Sequence, residues 1–169
     1  DRTSFYAESG GQVADSGVLL NGAMKAKVSD VKKAPHKQHL HHVKLVNGTI
    51  KCGDDVTGQI DTEKRLIITS NHSACHLLQS ALKAVVGSHI AQAGSFVSDE
   101  YLRFDFTHFE KVSEEQLQQI EDLVNQYIAQ KNPVMIQNMN IDEARKTGAT
   151  ALFDEKYGDV VRVVSMGDV

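Results

Sequence analysis

Two histidines stand four residues apart in "NHSACHLL", His72 and His76. On a helix, side chains at i and i+4 share a face with Cβ atoms about 5–6 Å apart. Two imidazoles so placed can reach one zinc at Zn–N distances of about 2.0–2.1 Å, although a stable site needs further ligands. The zinc-protease pattern H-E-x-x-H uses this spacing, with the glutamate after the first histidine as general base. Ser73 occupies that position, which argues against such a peptidase. Cys75, at i+3 from His72, can reach the same face. Its competing role is that of a small buried residue, a common one for free cysteine. On spacing alone, an ordinary helix-surface or core pair outweighs a ligand pair. A second cluster, His39, His41 and His42, falls on a predicted strand, where the first two share a face and His42 opposes them. Solvated histidines beside lysines are the expectation there.

The elements around these residues change character along the chain. The first sixty residues read as short strands and glycine turns, including the loop-rich "ESGGQVADSG" and the partly alternating "MKAKVSDV". "QHLHHVKLV" runs into Asn47-Gly48, a hairpin signal because both residues tolerate positive φ. This pattern predicts a small barrel-like or sandwich subdomain over residues 1–61. Near Asp61 the period shifts. Asp61 or Thr62 can cap a helix in which Leu66, Ile67, Ser70, Ala74, Leu77, Leu78, Ala81, Leu82 and Val85 recur at helical spacing, with Gly87 as the stop. "AGSFVSDEYLRFDFTH" reads as a hairpin turning at Ser98-Asp99-Glu100. Ser113-Glu114-Glu115-Gln116 is a capping box. It opens a second amphipathic helix that ends at Asn132-Pro133. A strand "VMIQNMNI", a short helix "DEARKTG" and a strand "VVRVVSM" follow. The expected class is α+β: a β-rich part over 1–61, then a core over 62–169 with long helices packed on a mainly antiparallel sheet.

Composition bounds the function. The 169 residues carry 41% hydrophobic and 24% charged side chains, ordinary for a globular protein. No apolar run approaches the roughly 20 residues of a membrane helix. The chain opens without a basic start or apolar h-region, so no signal peptide is expected. Both ends read as cuts in a longer protein. Two cysteines make no disulfide framework, and a reducing cytoplasm is the expected compartment. The net charge of −4 argues against a strong stand-alone nucleic-acid binder. Residues 25–51, however, hold seven lysines against one acid, Asp30. Such a stripe can dock a phosphate backbone locally or be a solvated sheet face.

The stretch "RLIITSNHSACHLLQSALKAVVGSHIAQAGSFVSDEYLRFDFTH" resembles the editing domain of alanyl-tRNA synthetases, whose pattern runs N-H-T-A-T-H-L-L, then Q-K-G-S-x-V, then L-R-F-D-F-x-H. "TSFYAESGGQVADSG" is similar to that family's glycine-rich loop, and "EARKTGATALFDEKYGDVVRVVSMGD" to its carboxy-terminal stretch. The resemblance runs nearly end to end; freestanding editing proteins share the core pattern. It implies a zinc held partly by His72 and His76. The family's other ligands, a cysteine and a histidine four apart, lie in a segment expected beyond Val169. Cys75 stands where the family has threonine. The implied reaction is hydrolysis of the ester in tRNA for alanine mischarged with serine or glycine, within a parent synthetase that also binds ATP.

The resemblance implies a role for Gln92, and the residue types suggest further candidates. Gln92 matches the glutamine lining the editing pocket, where an amide can meet a carbonyl, a water or a hydroxyl. Thr3, before "FYAES", is a candidate sensor of the serine hydroxyl, against the alternative of an ordinary loop or strand threonine. Glu8, Gly10, Gly11 and Gln12 form a loop read either as a substrate-binding wall, since glycine lets backbone N–H groups approach a ligand, or as a plain tight turn. Arg103 and Asp105 read as a structural ion pair. The competing reading is a non-catalytic tRNA-docking or scaffold fragment.

Overall fold

A computed structural model of the chain describes residues 2–147 and 158–167. Part of the carboxy-terminal stretch that carries the resemblance therefore lies outside the described residues. The architecture is α+β, as expected. Strands β1 (Gly17–Asn21), β2 (Met24–Lys33), β3 (His39–Asn47) and β4 (Thr57–Ile60) form one antiparallel sheet in the order β3-β2-β1-β4. Helix α1 (Thr62–Val85) follows, then the hairpin β5 (Ala91–Val97) and β6 (Leu102–Thr107). Helix α2 (Glu114–Gln130), strand β7 (Val134–Asn140), helix α3 (Ile141–Lys146) and strand β8 (Val160–Met166) complete the described order. The change of texture near Asp61 falls at the junction of β4 and α1. No helix among the described residues is long and apolar enough to cross a membrane.

Internal contacts divide the chain into two units, Asp1–Cys75 with Gly94–Phe104, and His76–Ala93 with Asp105–Val169. In the first, β2 alternates as a half-buried strand should. Met24, Ala26 and Val28 are buried, while Lys25 and Lys27 face solvent. Val28 and Val31 join Phe5 and Ala7 in a core that Leu19 and Ile60 complete. Full burial of a side chain such as Val31 contributes roughly 1.5–3 kcal/mol.

The sheet stays open rather than closing into a barrel, with β3 and β4 as its two edges. This also overturns the hairpin expected at Asn47-Gly48. β3 pairs only with β2, and β4 pairs with β1 on the far side. Gly48, at φ 76°, serves a different end: a Cβ there would lie 2.7 Å from the Cα of Met24. The chain needs glycine to pass close over the start of β2, and residues 48–56 then cross to the opposite edge. The Asn47 amide donates to the Ala23 carbonyl and pins this departure.

Asp61 caps α1, its carboxylate accepting from Lys64 N at 3.0 Å and its carbonyl from Arg65 N at 3.0 Å. The acidic cap also complements the helix dipole. Ile68 and Cys75 of α1 pack with Val97, against which Val13, Leu102 and Phe104 lean. Ser98 closes the β5–β6 turn, bonding Tyr101 through both backbone and hydroxyl.

In the second unit the capping box forms as read. Ser113 Oγ accepts from Gln116 N at 3.2 Å, and Gln116 Oε1 accepts from Ser113 N at 3.0 Å. Lys131 ends α2 in the left-handed region. β7 and β8 pair antiparallel from Val134↔Met166 to Asn140↔Val160.

Candidate functional site

The glycine-rich loop folds onto the end of β5. Gly11 accepts from Val97 N at 2.8 Å, and Val13 N donates to Val97 O at 3.0 Å, so Gln12 lies alongside the strand. Gly11 has φ 78°, and a Cβ there would sit 2.7 Å from the Ser95 carbonyl oxygen. Only glycine fits both the backbone angle and the approach. Gly10 also has positive φ but nothing crowds it. Glu8 is exposed, its backbone N–H tied to Val31 O.

A part-buried ion pair joins this amino-terminal segment to α1. Asp15 is 3% exposed and takes both a 2.7 Å bond from Arg65 Nε and a second bond from Arg65 Nη2. Tyr6 N donates to the same carboxylate at 2.6 Å, and Arg65 also reaches the Ser4 carbonyl. Bonding to Asp15 raises the pKa of the guanidinium further and keeps it charged. Sequence reading missed this pair; the signal available was an aspartate in the otherwise small and apolar "QVADSG".

With the loop fixed to β5 and to α1, Gln12 is buried and its amide oxygen lies 2.7 Å from Nδ1 of His72. An amide oxygen only accepts, so the imidazole carries its proton on Nδ1 and its lone pair on Nε2. Burial lowers the pKa of His72, which favours the neutral ring. A neutral imidazole with its other nitrogen bonded to an oxygen acceptor is the arrangement used by metal-ligating histidines. His76 lies one turn further along α1. Among the described residues no group of three His, Cys, Asp or Glu side chains gathers as a metal site. Cys75 is buried against Ile68 and Val97, and burial pushes its thiol pKa up, so it behaves as a core side chain.

The other sequence candidates fall elsewhere. Thr3 is exposed; its hydroxyl bonds Nε2 of His41 at 2.9 Å and accepts from Phe5 N at 3.1 Å. His41 also meets the Phe5 ring edge-on at 5.3 Å, so it is a packed residue rather than the solvated one expected. Gln92 is half-buried on β5, in the second unit. The structure thus brings Gln12 and His72 together in the first unit. In the second unit it holds a histidine pair that sequence reading missed. His89 Nε2 lies 2.9 Å from His108 Nδ1, and Phe109 packs tilted against both rings. His108 closes "LRFDFTH", the one signal that marked it. A hollow bordered by Leu20, Asn21, Asp55, Thr57 and Gln59, among others, contains none of the predicted site residues.

Comparison with known proteins follows this geometry. Residues 1–64 match the family model for class II tRNA synthetases (A). The chain is 52% identical to the alanine–tRNA ligase of Shouchella clausii over 168 residues, covering 99% of this chain and 19% of that protein. The alanine–tRNA ligase of Geobacillus kaustophilus is likewise 52% identical, and that of Acetivibrio thermocellus 51%, with the same coverage. The chain therefore spans about a fifth of the length of these relatives.

Proposed function

We propose that this chain is the editing module of a cytoplasmic alanine–tRNA ligase, which hydrolyses the ester linking serine or glycine to tRNA for alanine. The observation that carries this reading is the 2.7 Å contact of Gln12 with His72, which joins the "ESGGQ" loop to the "NHSACH" helix. Two motifs that the sequence holds sixty residues apart meet at one part-buried hydrogen bond. Similarity over 99% of this chain to part of the alanine–tRNA ligases supports the ligase half of this reading.

In this reading Gln12 is a positioning residue. It holds His72 in the Nδ1–H tautomer, in which Nε2 is the nitrogen that would coordinate a metal. His72 and His76 supply two imidazole ligands, and a zinc there would need further ligands from outside the described residues. Bound zinc would polarise a water or the ester carbonyl. Glu8, Gly10 and Gly11 form the wall that receives the terminal nucleotide. Gln92 aligns the carbonyl or the attacking water, and Thr3 distinguishes serine by its hydroxyl. Such selection is needed because a synthetic pocket rejects glycine, which is smaller, and serine, which adds one hydroxyl, only weakly. Ligation with ATP is assigned to the remainder of the ligase.

The test is serine release from seryl-tRNA specific for alanine, measured with zinc content in the intact ligase. His72→Ala should lower both. Gln12→Ala should weaken zinc binding by about 10–100-fold, the usual effect of losing a ligand's supporting hydrogen bond. Unchanged hydrolysis in His72→Ala would remove the metal from the reaction. An intact ligase that leaves seryl- and glycyl-tRNA uncleaved would leave a docking or scaffold module instead.

A further inference from the structure

The outer face of the four-stranded sheet carries a charge pattern that ester hydrolysis does not use. Lys25 and Lys27 project from β2 on the side opposite the buried Met24, Ala26 and Val28. Lys27 stands directly across from Lys44 of β3, so these two side chains share that face. Strands lie about 4.8 Å apart and same-face residues about 7 Å apart along a strand. Three ammonium groups therefore occupy one small patch. All three residues are exposed, and among the described residues none lies within ion-pair distance of a carboxylate. Lys32, on the same strand, differs: Asp30 lies 3.8 Å from it.

Like charges directly opposite each other destabilise a sheet. The Lys27–Lys44 pairing is thus a cost to the free protein that a polyanion would relieve. Thr57 and Gln59 of β4 share this face, since they pair with Leu20 and Val18, which in turn pair with Lys25 and Lys27. Both are exposed and offer hydrogen bonds suited to phosphate and ribose oxygens. Val18 and Leu20 lie between them on this face but are partly buried, so its exposed side chains are cationic or polar and suit a phosphate backbone better than a lipid surface.

We propose that this face docks the phosphate backbone of the tRNA, with Lys25, Lys27 and Lys44 as its principal contacts. The proposal rests on the function above and names a part of the substrate remote from the ester. The experiment measures affinity of the chain for tRNA specific for alanine over a range of potassium chloride concentrations. Each phosphate contact contributes about −0.7 to −0.9 to the slope of log K against log salt. Lys25→Gln/Lys27→Gln/Lys44→Gln should reduce the slope by about 2–3, and Lys44→Gln alone by about 1. The triple variant should melt no lower than the parent, because a repulsion has been removed. Control substitutions of equal charge outside the lysine-rich stripe, Lys111→Gln/Lys131→Gln/Lys146→Gln, should leave the slope in place.

An unchanged slope in the triple variant, or a loss shared by the control, overturns the proposal. So does preferential binding of the parent to phosphatidylserine-rich vesicles over tRNA. Hydrolysis of seryl-adenosine, which lacks a tRNA body, should be the same in the intact ligase with and without the three substitutions. Binding that behaves as expected in a protein that cleaves no ester would overturn the editing reading while leaving this surface intact.

Discussion

At the scale of single residues, two positions carry separable tests. Gly11 is constrained twice, by φ 78° and by the Ser95 carbonyl, whereas Gly10 is constrained by φ alone. Gly10→Ala should cost about 1–2 kcal/mol, the ordinary penalty of a left-handed residue. Gly11→Ala should cost more, because the loop must also leave β5; urea unfolding of the two variants measures the difference. His41 supplies a pH dependence. Its folded pKa is lowered, first by burial, against a hydrogen bond that the ring donates to the His39 backbone and that raises it, and last by the neighbouring His39 charge, which lowers it. The unfolded chain therefore binds this proton more readily than the folded one. The neutral ring's contribution to stability is present above pH ~6.5 and fades as pH falls below it. Melting temperature should drop between about pH 7.5 and 5.5, and His41→Asn should flatten that drop. An unaltered slope would assign the acid sensitivity to other groups.

At the scale of elements, the segment before β1 is attached to α1 chiefly through Asp15 and Arg65. Removing the arginine leaves a carboxylate that is 3% exposed without its counter-ion. Arg65→Ala should then cost about 3 kcal/mol or more. Lys64→Ala breaks the partly exposed Lys64–Asp99 pair at 3.2 Å and should cost under about 1 kcal/mol. Equal losses in denaturant titrations would show that Arg65 acts through packing. Local patterns announced most elements correctly. The Asp61 cap, the Ser113–Gln116 box and the Ser98 turn depend on neighbours within a few residues, and all three form. Asn47-Gly48 misled because a turn-compatible dipeptide does not state which strand comes next. That depends on β1 offering its free edge to β4, a pairing between residues forty apart in sequence.

At the scale of the whole molecule, the legible part of the site was its list of residues, and the illegible part was their partners. His72 was readable from helical spacing and Gln12 from the glycine loop, but nothing local states that one holds the other. The same limit applies to burial. The apolar stripe of α2 predicts a covered face, yet Ile120 is buried while Leu117 and Ile128 stay about half exposed. The sheet order has a consequence in time. β1, β2 and β3 form a meander whose turns are short, while β4 must return across residues 48–56 to the opposite edge. Loop closure of that length makes β4 the last strand to join. The first turn of α1 waits on the same event, since Asp61 follows β4 directly and its N–H bonds Ser16 O at 2.8 Å. Helix initiation and sheet completion thus coincide late in refolding. Stopped-flow chevrons should place Gly58→Ala, which would crowd Phe5, almost wholly on the unfolding limb.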